Sequence, residues 1–216
     1  MKLVIGNKNY SSWSLRAWLL PAVSELPFDE VKISLSTDSS DAEIAKYSDA
    51  GMVPVLHDNG LVVWDSLAIC EYISEKYLDG RGWPAEQKER ARARSCCAEM
   101  HSGFFTLRQA LPMNCRATGR KVVMTEDLQE EISRIDSIWT SLRAGYQNRG
   151  PWLFGEFSIA DCMFAPVVFR FATYNVTVSE SSREYMANVL ANPKVQLWHK
   201  QAKEEVEVIE DDEAGL

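Results

Sequence analysis

Hydrophobic and polar positions change their spacing near the middle of the chain. Up to Tyr77, short apolar runs of strand length alternate with segments of helical spacing. From Pro84 onward, nearly every segment has apolar residues three and four positions apart, and a stretch rich in glycine and proline separates the two parts. The pattern predicts an α/β domain over 1–78, a linker over 79–84 and an all-helical domain over 85–216.

The first domain is predicted to contain elements in the order strand, helix, strand, helix, strand, strand, helix. Asn59–Gly60 lies between two β-rich runs and is a strong hairpin signal, and Ser66 is placed to cap the helix that follows. A parallel β–α–β unit with a hairpin and a covering helix would form one α/β layer. The predicted strands are 2–5, 30–35, 53–56 and 61–64, and the predicted helices are 11–25, 41–47 and 66–77.

The second domain is predicted to be a helical bundle. Its first helix is predicted to run unbroken from Ala85 to about Leu111, because apolar residues recur there every three or four positions. Ser158 and Asp161 form a capping box before a strongly apolar helix, since aspartate can replace glutamate at the third helical position. The seam of the first helix consists of Ala93, Cys97, Met100, Phe104, Leu107 and Leu111, and later helices are predicted at 126–146, 184–190 and 193–207.

Composition agrees with a soluble globular chain. It has 216 residues, of which 46% are hydrophobic and 25% charged. The longest apolar run, Cys162 to Phe169, is far shorter than the ~20 residues of a membrane span, and the start lacks the apolar core of a secretory signal. The five cysteines include no CxxC pair, which is typical of free thiols in a reducing compartment. We therefore expect a cytoplasmic protein.

Charge is concentrated at the carboxyl end. The net charge is −8, and seven acidic residues lie between Glu204 and Leu216 without a base, so the remainder is near −8 + 7 = −1. We interpret the tail as a solvated terminus. The balance disfavours non-specific nucleic-acid binding, which needs clustered lysine and arginine. The scattered His57, His101 and His199 disfavour a zinc site, and we expect no metal.

The first candidate for chemistry is the run Tyr10-Ser11-Ser12-Trp13-Ser14, which joins the first strand to the first helix. The amino end of a helix stabilises an anion, and a serine hydroxyl there can donate a hydrogen bond to a bound thiolate. The alternative interpretation is that Ser11 or Ser12 only caps the helix.

Two further segments could bind parts of a peptide. If the Val53–Pro54 bond is cis, which is uncommon for X–Pro bonds, Val53 can offer its main-chain N–H and C=O to a peptide alongside. At Asp65–Ser66 a hydroxyl and free amide groups can bind a carboxylate, and Asp65 can bind an ammonium group. An ordinary helix cap is the alternative there.

These three segments, in this order and at these spacings, resemble the glutathione S-transferase family. The run Asn9 to Leu19 is similar to serine-type bacterial members, and Phe157 to Asp161 looks like the family's capping box after a proline-bearing linker. The resemblance covers nearly the whole chain. It implies a thioredoxin-like amino-terminal domain, a cis Val53–Pro54 bond, an all-α bundle and a homodimer.

The resemblance also implies an activity and a site. Glutathione would be the cosubstrate, and the hydroxyl of Ser11, or of Ser12 one residue on, would hold its sulfur as a thiolate for detoxifying attack on small hydrophobic electrophiles. Asp65 and Ser66 would bind the γ-glutamyl end, and Val53 and Pro54 the cysteinyl part. No cysteine lies between Ser11 and Ser14, which disfavours thiol exchange by the protein itself.

The electrophile would bind between the domains, against the helix predicted at 85–111. Phe104 and Arg108 are tentative contacts, with Met100 and Phe105 as further candidates. Core packing is the alternative for Met100 and Phe104, and an ion pair is the alternative for Arg108. Arg90, Arg92 and Arg94 of the same helix are expected on a solvated face or in a subunit cleft.

Two other functions stay open at this stage. One is a glutathione-dependent isomerase resembling the zeta group, which also has a serine-rich first turn. The other is a non-catalytic member, resembling stringent-starvation proteins, that keeps the fold and binds an apolar ligand or a protein.

Overall fold

A four-stranded mixed sheet forms the centre of the amino-terminal part, with strand order β2-β1-β3-β4. The computed structural model describes residues 1–215. β1 pairs parallel with β2 and antiparallel with β3, and β3 pairs antiparallel with β4. The elements here are β1 (Lys2–Ile5), α1 (Ser12–Val23), β2 (Asp29–Lys32), α2 (Ser40–Ala45), β3 (Val55–Asp58), β4 (Leu61–Trp64) and α3 (Ser66–Tyr77).

The sheet is covered on both faces because its apolar residues alternate along β1. Leu3 and Ile5 belong to the large core, whereas Val4 joins a smaller core with Ile33 and Ile44. The predicted hairpin is confirmed: Asn59 and Gly60 have φ angles of 49° and 85°, as a two-residue turn of the primed type requires.

The carboxyl-terminal part is a helical bundle around one almost fully buried helix, α7. The predicted thioredoxin-like domain followed by an all-α domain is confirmed as the fold, while the domain bounds stay a prediction. The helices are α4 (Gln87–Ser102), α5 (Phe105–Ala110), α6 (Glu126–Tyr146), α7 (Ile159–Thr173), α8 (Glu180–Ala191) and α9 (Pro193–Glu204). None of them is long and apolar enough, within 1–215, to span a membrane.

The predicted capping box at the start of α7 is confirmed. The amide of Ser158 donates to the Asp161 carboxylate at 2.9 Å, and both reciprocal contacts are present. The same carboxylate also accepts from the Leu153 amide at 3.1 Å and from the Tyr185 hydroxyl at 3.2 Å. One residue therefore fixes the helix start and two neighbouring segments.

The prediction of one unbroken helix over 85–111 is wrong. α4 ends at Ser102 and α5 begins at Phe105. A Cβ on Gly103 would lie 2.8 Å from the Glu99 carbonyl oxygen, and Phe104 is left-handed with φ 58°, so the chain leaves the helical path between these residues. The predicted seam is nevertheless buried throughout, because the turn keeps the same face inward.

The interpretation of the acidic tail as a solvated terminus is also wrong. The Glu205 carboxylate accepts from the amides of Lys8 at 2.8 Å and Asn9 at 3.0 Å. Glu213 accepts from the Tyr10 hydroxyl at 2.7 Å and pairs with Arg120. The tail folds back because the loop before α1 offers free amides and cations to its carboxylates. Of the seven acidic residues of the tail, three are exposed as expected: Glu204, Glu210 and Asp211.

All five cysteines are buried and unpaired. Burial raises the pKa of the thiols of Cys70, Cys97, Cys115 and Cys162. These side chains act as small apolar core residues.

Candidate functional site

The three segments singled out by the sequence meet at one edge of the sheet. Val4 of β1 pairs with Val55 of β3, which pairs with Trp64 of β4, and both pairings are antiparallel. The end of β1, the start of β3 and the end of β4 therefore lie side by side. The loop to Ser11, the Val53–Pro54 peptide and the Asp65–Ser66 pair continue from this edge.

Ser11 is the N-cap of α1. Its Oγ accepts weakly from the Ser14 amide at 3.4 Å, and its hydroxyl donates to Ser14 Oγ at 2.8 Å. Ser14 Oγ in turn accepts from the Gly6 amide at 3.0 Å. A chain of hydrogen bonds thus connects the end of β1 with the Ser11 hydroxyl.

Ser12 occupies the first position of α1 and faces the helical domain. Its Oγ accepts a hydrogen bond at 3.2 Å from Nη2 of Arg170, which comes from α7. Arg170 is 5% exposed, and it also donates to the carbonyls of Arg108, at 3.0 Å, and Leu111. The guanidinium therefore fixes the Ser12 oxygen and leaves the hydrogen of that hydroxyl uncommitted.

The Val53–Pro54 peptide bond is cis, which confirms what the resemblance implies. Val53 precedes β3 and is half-buried. Across the described residues, neither its amide nor its carbonyl takes part in a hydrogen bond. Both groups are available to an extended peptide.

Asp65, not Ser66, caps α3, which corrects the predicted cap. Its Oδ1 accepts from the amides of Leu67 at 2.9 Å and Ala68 at 3.1 Å, and its φ is 74°. Asp65 precedes the helix, so its side chain reaches the second and third helical amides. The Ser66 hydroxyl is buried and has no hydrogen-bond partner in residues 1–215.

His101 is a site residue that the sequence reasoning missed. Its Nε2 lies 3.0 Å from Asp65 Oδ2, and its ring packs edge-on against Trp13 at 5.2 Å between centroids. It comes from the end of α4, 36 positions from Asp65, and no local spacing signals such a contact. The Asp65 carboxylate therefore has partners in both domains: main-chain amides of α3 and the ring of His101.

Three arginines lie near one another at the start of α1, and we call Arg16, Arg108 and Arg170 the arginine cluster. The guanidinium carbons of Arg16 and Arg108 lie 4.3 and 5.3 Å from the Trp13 ring centroid. Arg16 Nε donates to the Met163 carbonyl at 3.0 Å. Arg16 and Arg170 were also missed, although each is the single cation of a largely apolar helix, which is a readable signal.

The arginine cluster is strongly cationic. Burial, together with repulsion from neighbouring arginines, lowers the pKa of Arg16 to about 9 and of Arg170 to about 10. Burial likewise lowers the pKa of Arg108. In the described part of the chain, none of the three has a carboxylate oxygen within 4.0 Å.

The tentative electrophile contacts lie on both sides of the helix break. Phe104 is only 7% exposed and belongs to the core, as does Met100, whereas Phe105 is 68% exposed. Arg108 is half-buried, donates to the carbonyls of His101 and Gly103, and lies 4.9 Å from the Phe105 ring centroid. Arg108 and Phe105 therefore face outward while Phe104 packs inward.

The three arginines of α4 bond to groups outside the three segments of the site. Arg90 donates to the Pro84 and Ala85 carbonyls, and the exposed Arg92 donates to Ser141. Arg94 pairs with Glu71 of α3. A role for these residues in a subunit cleft stays a prediction.

Comparison with known protein families agrees with this geometry. The model described as "Glutathione S-transferase, N-terminal domain" matches residues 10–76, and "Glutathione S-transferase, C-terminal domain" matches residues 124–201. This chain belongs to the glutathione S-transferase family. The two matches cover Ser11, the Val53–Pro54 bond, Asp65–Ser66 and the capping box of α7.

Curated members of the family differ in what their names state. The glutathione S-transferase GstB of Escherichia coli K12 is 23% identical over 184 residues, 83% of each chain. A stringent starvation protein A homolog of Pasteurella multocida is 26% identical over 144 residues, 64% of this chain and 63% of that protein. Two other relatives are 40% identical, but the match spans only 27% and 20% of their own length.

A solved structure extends the similarity to the whole fold. It is a glutathione transferase homolog from Burkholderia GL BGR1 with bound glutathione, 25% identical in sequence, with a TM-score of 0.72. The match covers 94% of this chain and 98% of that one.

Proposed function

We propose that this protein is a glutathione transferase that activates the glutathione thiol with a serine hydroxyl for attack on small hydrophobic electrophiles. The observation that carries the proposal is the convergence of Ser11, Val53–Pro54 and Asp65–Ser66 at one sheet edge. The bound glutathione of the Burkholderia homolog supports it.

The chemical task is to hold a thiol as its thiolate. A free thiol with a pKa near ~8.5 is mostly protonated at neutral pH, and the thiolate is the nucleophile. The amino end of α1 carries partial positive charge. Lowering the thiol pKa by one to two units requires about 1.4–2.7 kcal/mol, which is about what one charge-assisted hydrogen bond contributes.

Ser11 is the first candidate for the hydrogen-bond donor. In the structure, the Ser11 hydroxyl donates a hydrogen bond to Ser14 Oγ, which also accepts one from the Gly6 amide. When a sulfur anion accepts the hydrogen bond of the Ser11 hydroxyl, the Ser14 hydroxyl can turn and donate to Ser11 Oγ. No polar atom then loses its partner, and the chain of donors polarises the Ser11 hydroxyl.

Ser12 is the second candidate, and its contact with Arg170 favours it. The guanidinium donates to Ser12 Oγ at 3.2 Å, which leaves the hydroxyl hydrogen free. A cation bonded to the oxygen makes that hydrogen a stronger donor. Ser12 can therefore hold the thiolate without rearrangement of its neighbours.

The remaining groups would orient glutathione. The unpaired amide and carbonyl of Val53 would bind the cysteinyl part as a neighbouring strand does. Asp65 would attract the ammonium group of the γ-glutamyl end, and the unpartnered Ser66 hydroxyl would bind its carboxylate. The thiol proton leaves to solvent, a carbon–sulfur bond forms, and the leaving group departs with its electron pair.

Alanine variants of the two serines test the proposal. We expect Ser11→Ala to lower kcat/KM for conjugation about 100-fold, as removal of an anion-stabilising donor does, and to raise the pKa of bound glutathione by about one unit. The exposed Ser102, whose side chain donates to the Ala98 carbonyl, gives the control Ser102→Ala. Unchanged activity in Ser11→Ala with a collapse in Ser12→Ala reassigns the donor, and unchanged activity in both contradicts serine activation.

A non-catalytic binding protein is the second candidate function, because the Pasteurella multocida homolog is similar over 64% of this chain. Titration calorimetry with glutathione separates the two. Heat of binding supports the transferase, and its absence in folded protein supports the binding protein. A substrate panel that includes maleyl-type diacids separates transferase from isomerase activity.

The proposal includes a cytoplasmic homodimer that detoxifies electrophiles. Met52 and Trp64 flank the proposed glutathione site and are each 53% exposed, and apolar surface of this kind suits a partner subunit. Light scattering of the purified chain tests the dimer, and a single-subunit mass contradicts it.

A further inference from the structure

Resting on the proposed transferase function, we infer that the electrophile carries a carboxylate and that the arginine cluster receives it. The cluster lies beside Ser12, through the Arg170 bond. Because Ser12 is one of the two proposed thiolate donors, an electrophile that reacts with the sulfur there would come close to the cluster. The inference narrows the proposed substrates from hydrophobic electrophiles to anionic ones.

The first argument is that no carboxylate within residues 1–215 forms an ion pair with the positive charges of the arginine cluster. Both Nη atoms of Arg16 and Nε of Arg170 are buried without a hydrogen-bond partner in residues 1–215. Three carboxylates attract the cluster electrostatically without forming an ion pair with it: Asp65, Glu131 and Asp212. Buried cations are ordinarily paired, so a bound anion would complete this arrangement.

The second argument is access. Arg16 is fully buried and Arg170 is 5% exposed. These two side chains would therefore attract the carboxylate electrostatically from the protein interior without contacting it. Arg108 is half-buried, and its guanidinium lies between the rings of Trp13 and the exposed Phe105. A fork-shaped cation between two aromatic faces suits a carboxylate attached to a flat apolar group.

Two other anions compete for the cluster. The thiolate itself is one, but it carries a single charge and the cluster carries three. A carboxylate of glutathione is the other. The Asp65–Ser66 pair offers a separate place for the γ-glutamyl carboxylate. Arg108 comes from the helical domain, against which we expect the electrophile to bind.

A matched pair of substrates tests the inference. 4-Chloro-3-nitrobenzoate and 4-chloro-3-nitrobenzamide undergo the same substitution, in which the thiolate forms the carbon–sulfur bond and chloride leaves with the electron pair. We expect the intact protein to prefer the benzoate in kcat/KM. Arg108→Gln should reduce the benzoate-to-benzamide ratio about tenfold, the effect of one lost charge-assisted hydrogen bond. Arg92→Gln, on the exposed face of α4, is the control and should keep the ratio.

Each outcome bears on the inference. A ratio unchanged by Arg108→Gln overturns it, because the cluster would then serve the thiolate alone. A raised KM for glutathione with an unchanged ratio also overturns it and assigns the cluster to a glutathione carboxylate. A reduced ratio with an unchanged KM for glutathione supports it.

A binding measurement separates this inference from the proposed function. 3-Nitrobenzoate and 3-nitrobenzamide lack the leaving group and can be titrated against the intact protein without glutathione, with tryptophan fluorescence as the signal. Tighter binding of the benzoate that Arg108→Gln abolishes supports the anion site even if no conjugation is found. Equal binding of both compounds contradicts the site even if conjugation is found.

Discussion

Two groups of buried or half-buried cations flank the loop that leads into α1, and they differ in whether a carboxylate pairs with them. On one side, Lys8 pairs with Glu30 at 2.7 Å and Arg120 pairs with Glu213. On the other side, within residues 1–215, Arg16 and Arg170 donate only to carbonyls and a hydroxyl, and Arg16 also lies over the Trp13 ring.

The difference indicates which side is structural. Where carboxylates of the folded-back tail meet cations and free amides, each cation has a carboxylate partner, although Nη1 of Arg120 has no hydrogen-bond partner in residues 1–215. Such contacts hold the loop in place. Where cations stay unpaired, stability is reduced and the arrangement suits a ligand that brings negative charge. Both sides act on the segment that carries Ser11 and Ser12.

The largest expected effect concerns the tail. Glu205→Ala removes the acceptor of two loop amides and should reduce the free energy of unfolding by about 3 kcal/mol, because it leaves buried donors unsatisfied. Urea denaturation followed by circular dichroism measures this.

Two further variants sharpen that measurement. Glu205→Gln keeps one acceptor oxygen and should lose only about 1 kcal/mol. Glu210→Ala, at an exposed position of the tail, should change nothing. A loss below about 0.5 kcal/mol in Glu205→Ala would mean that the tail does not hold the loop.

The opposite sign is expected on the other side. Arg16→Met replaces a fully buried cation, which has no ion pair within residues 1–215, by an apolar side chain of similar length. It loses one bond to the Met163 carbonyl but relieves repulsion from Arg108 and Arg170. We expect the free energy of unfolding to rise by about 1 kcal/mol. A loss of more than about 2 kcal/mol would show that the charge is structurally paired, and the contrast between the two sides would fail.

The smallest effect is a pH dependence of the tail. A main-chain hydrogen bond, with help from Ser34 and Lys32, lowers the pKa of Glu207 from 4.5 to about 2. A carboxyl group with a lowered pKa in the folded state contributes stability above its unfolded pKa and loses it as pH falls. The contribution should therefore disappear between about pH 4.5 and 2, and Glu207→Gln should flatten this part of the stability profile.

Local signals in the sequence predict much of the fold. The Asn59–Gly60 turn, the capping box at Ser158 and the strong periodicity of α6 each depend on residues within a few positions of one another. The three segments of the proposed site are also readable, because each lies at an element boundary where capping and turn chemistry is distinctive.

What the sequence reasoning missed depends on distant partners. The acidic tail contacts the loop before α1, from which it is almost 200 residues distant in sequence, as in the bond between Lys8 and Glu205. The density of acidic residues alone suggests that the tail is exposed to solvent. The break at Gly103–Phe104 leaves the apolar spacing intact, so periodicity cannot detect it. His101 and Arg170 reach the site only through packing of the two domains.

The burial of all five native thiols has a practical consequence for spectroscopy. Alkylating reagents act on accessible thiolates, so the folded chain offers them little to modify. A cysteine introduced at the exposed Phe105 position would then be labelled selectively. A fluorophore or spin probe attached there would report directly on molecules that bind next to Arg108, and the native cysteines would not have to be replaced first.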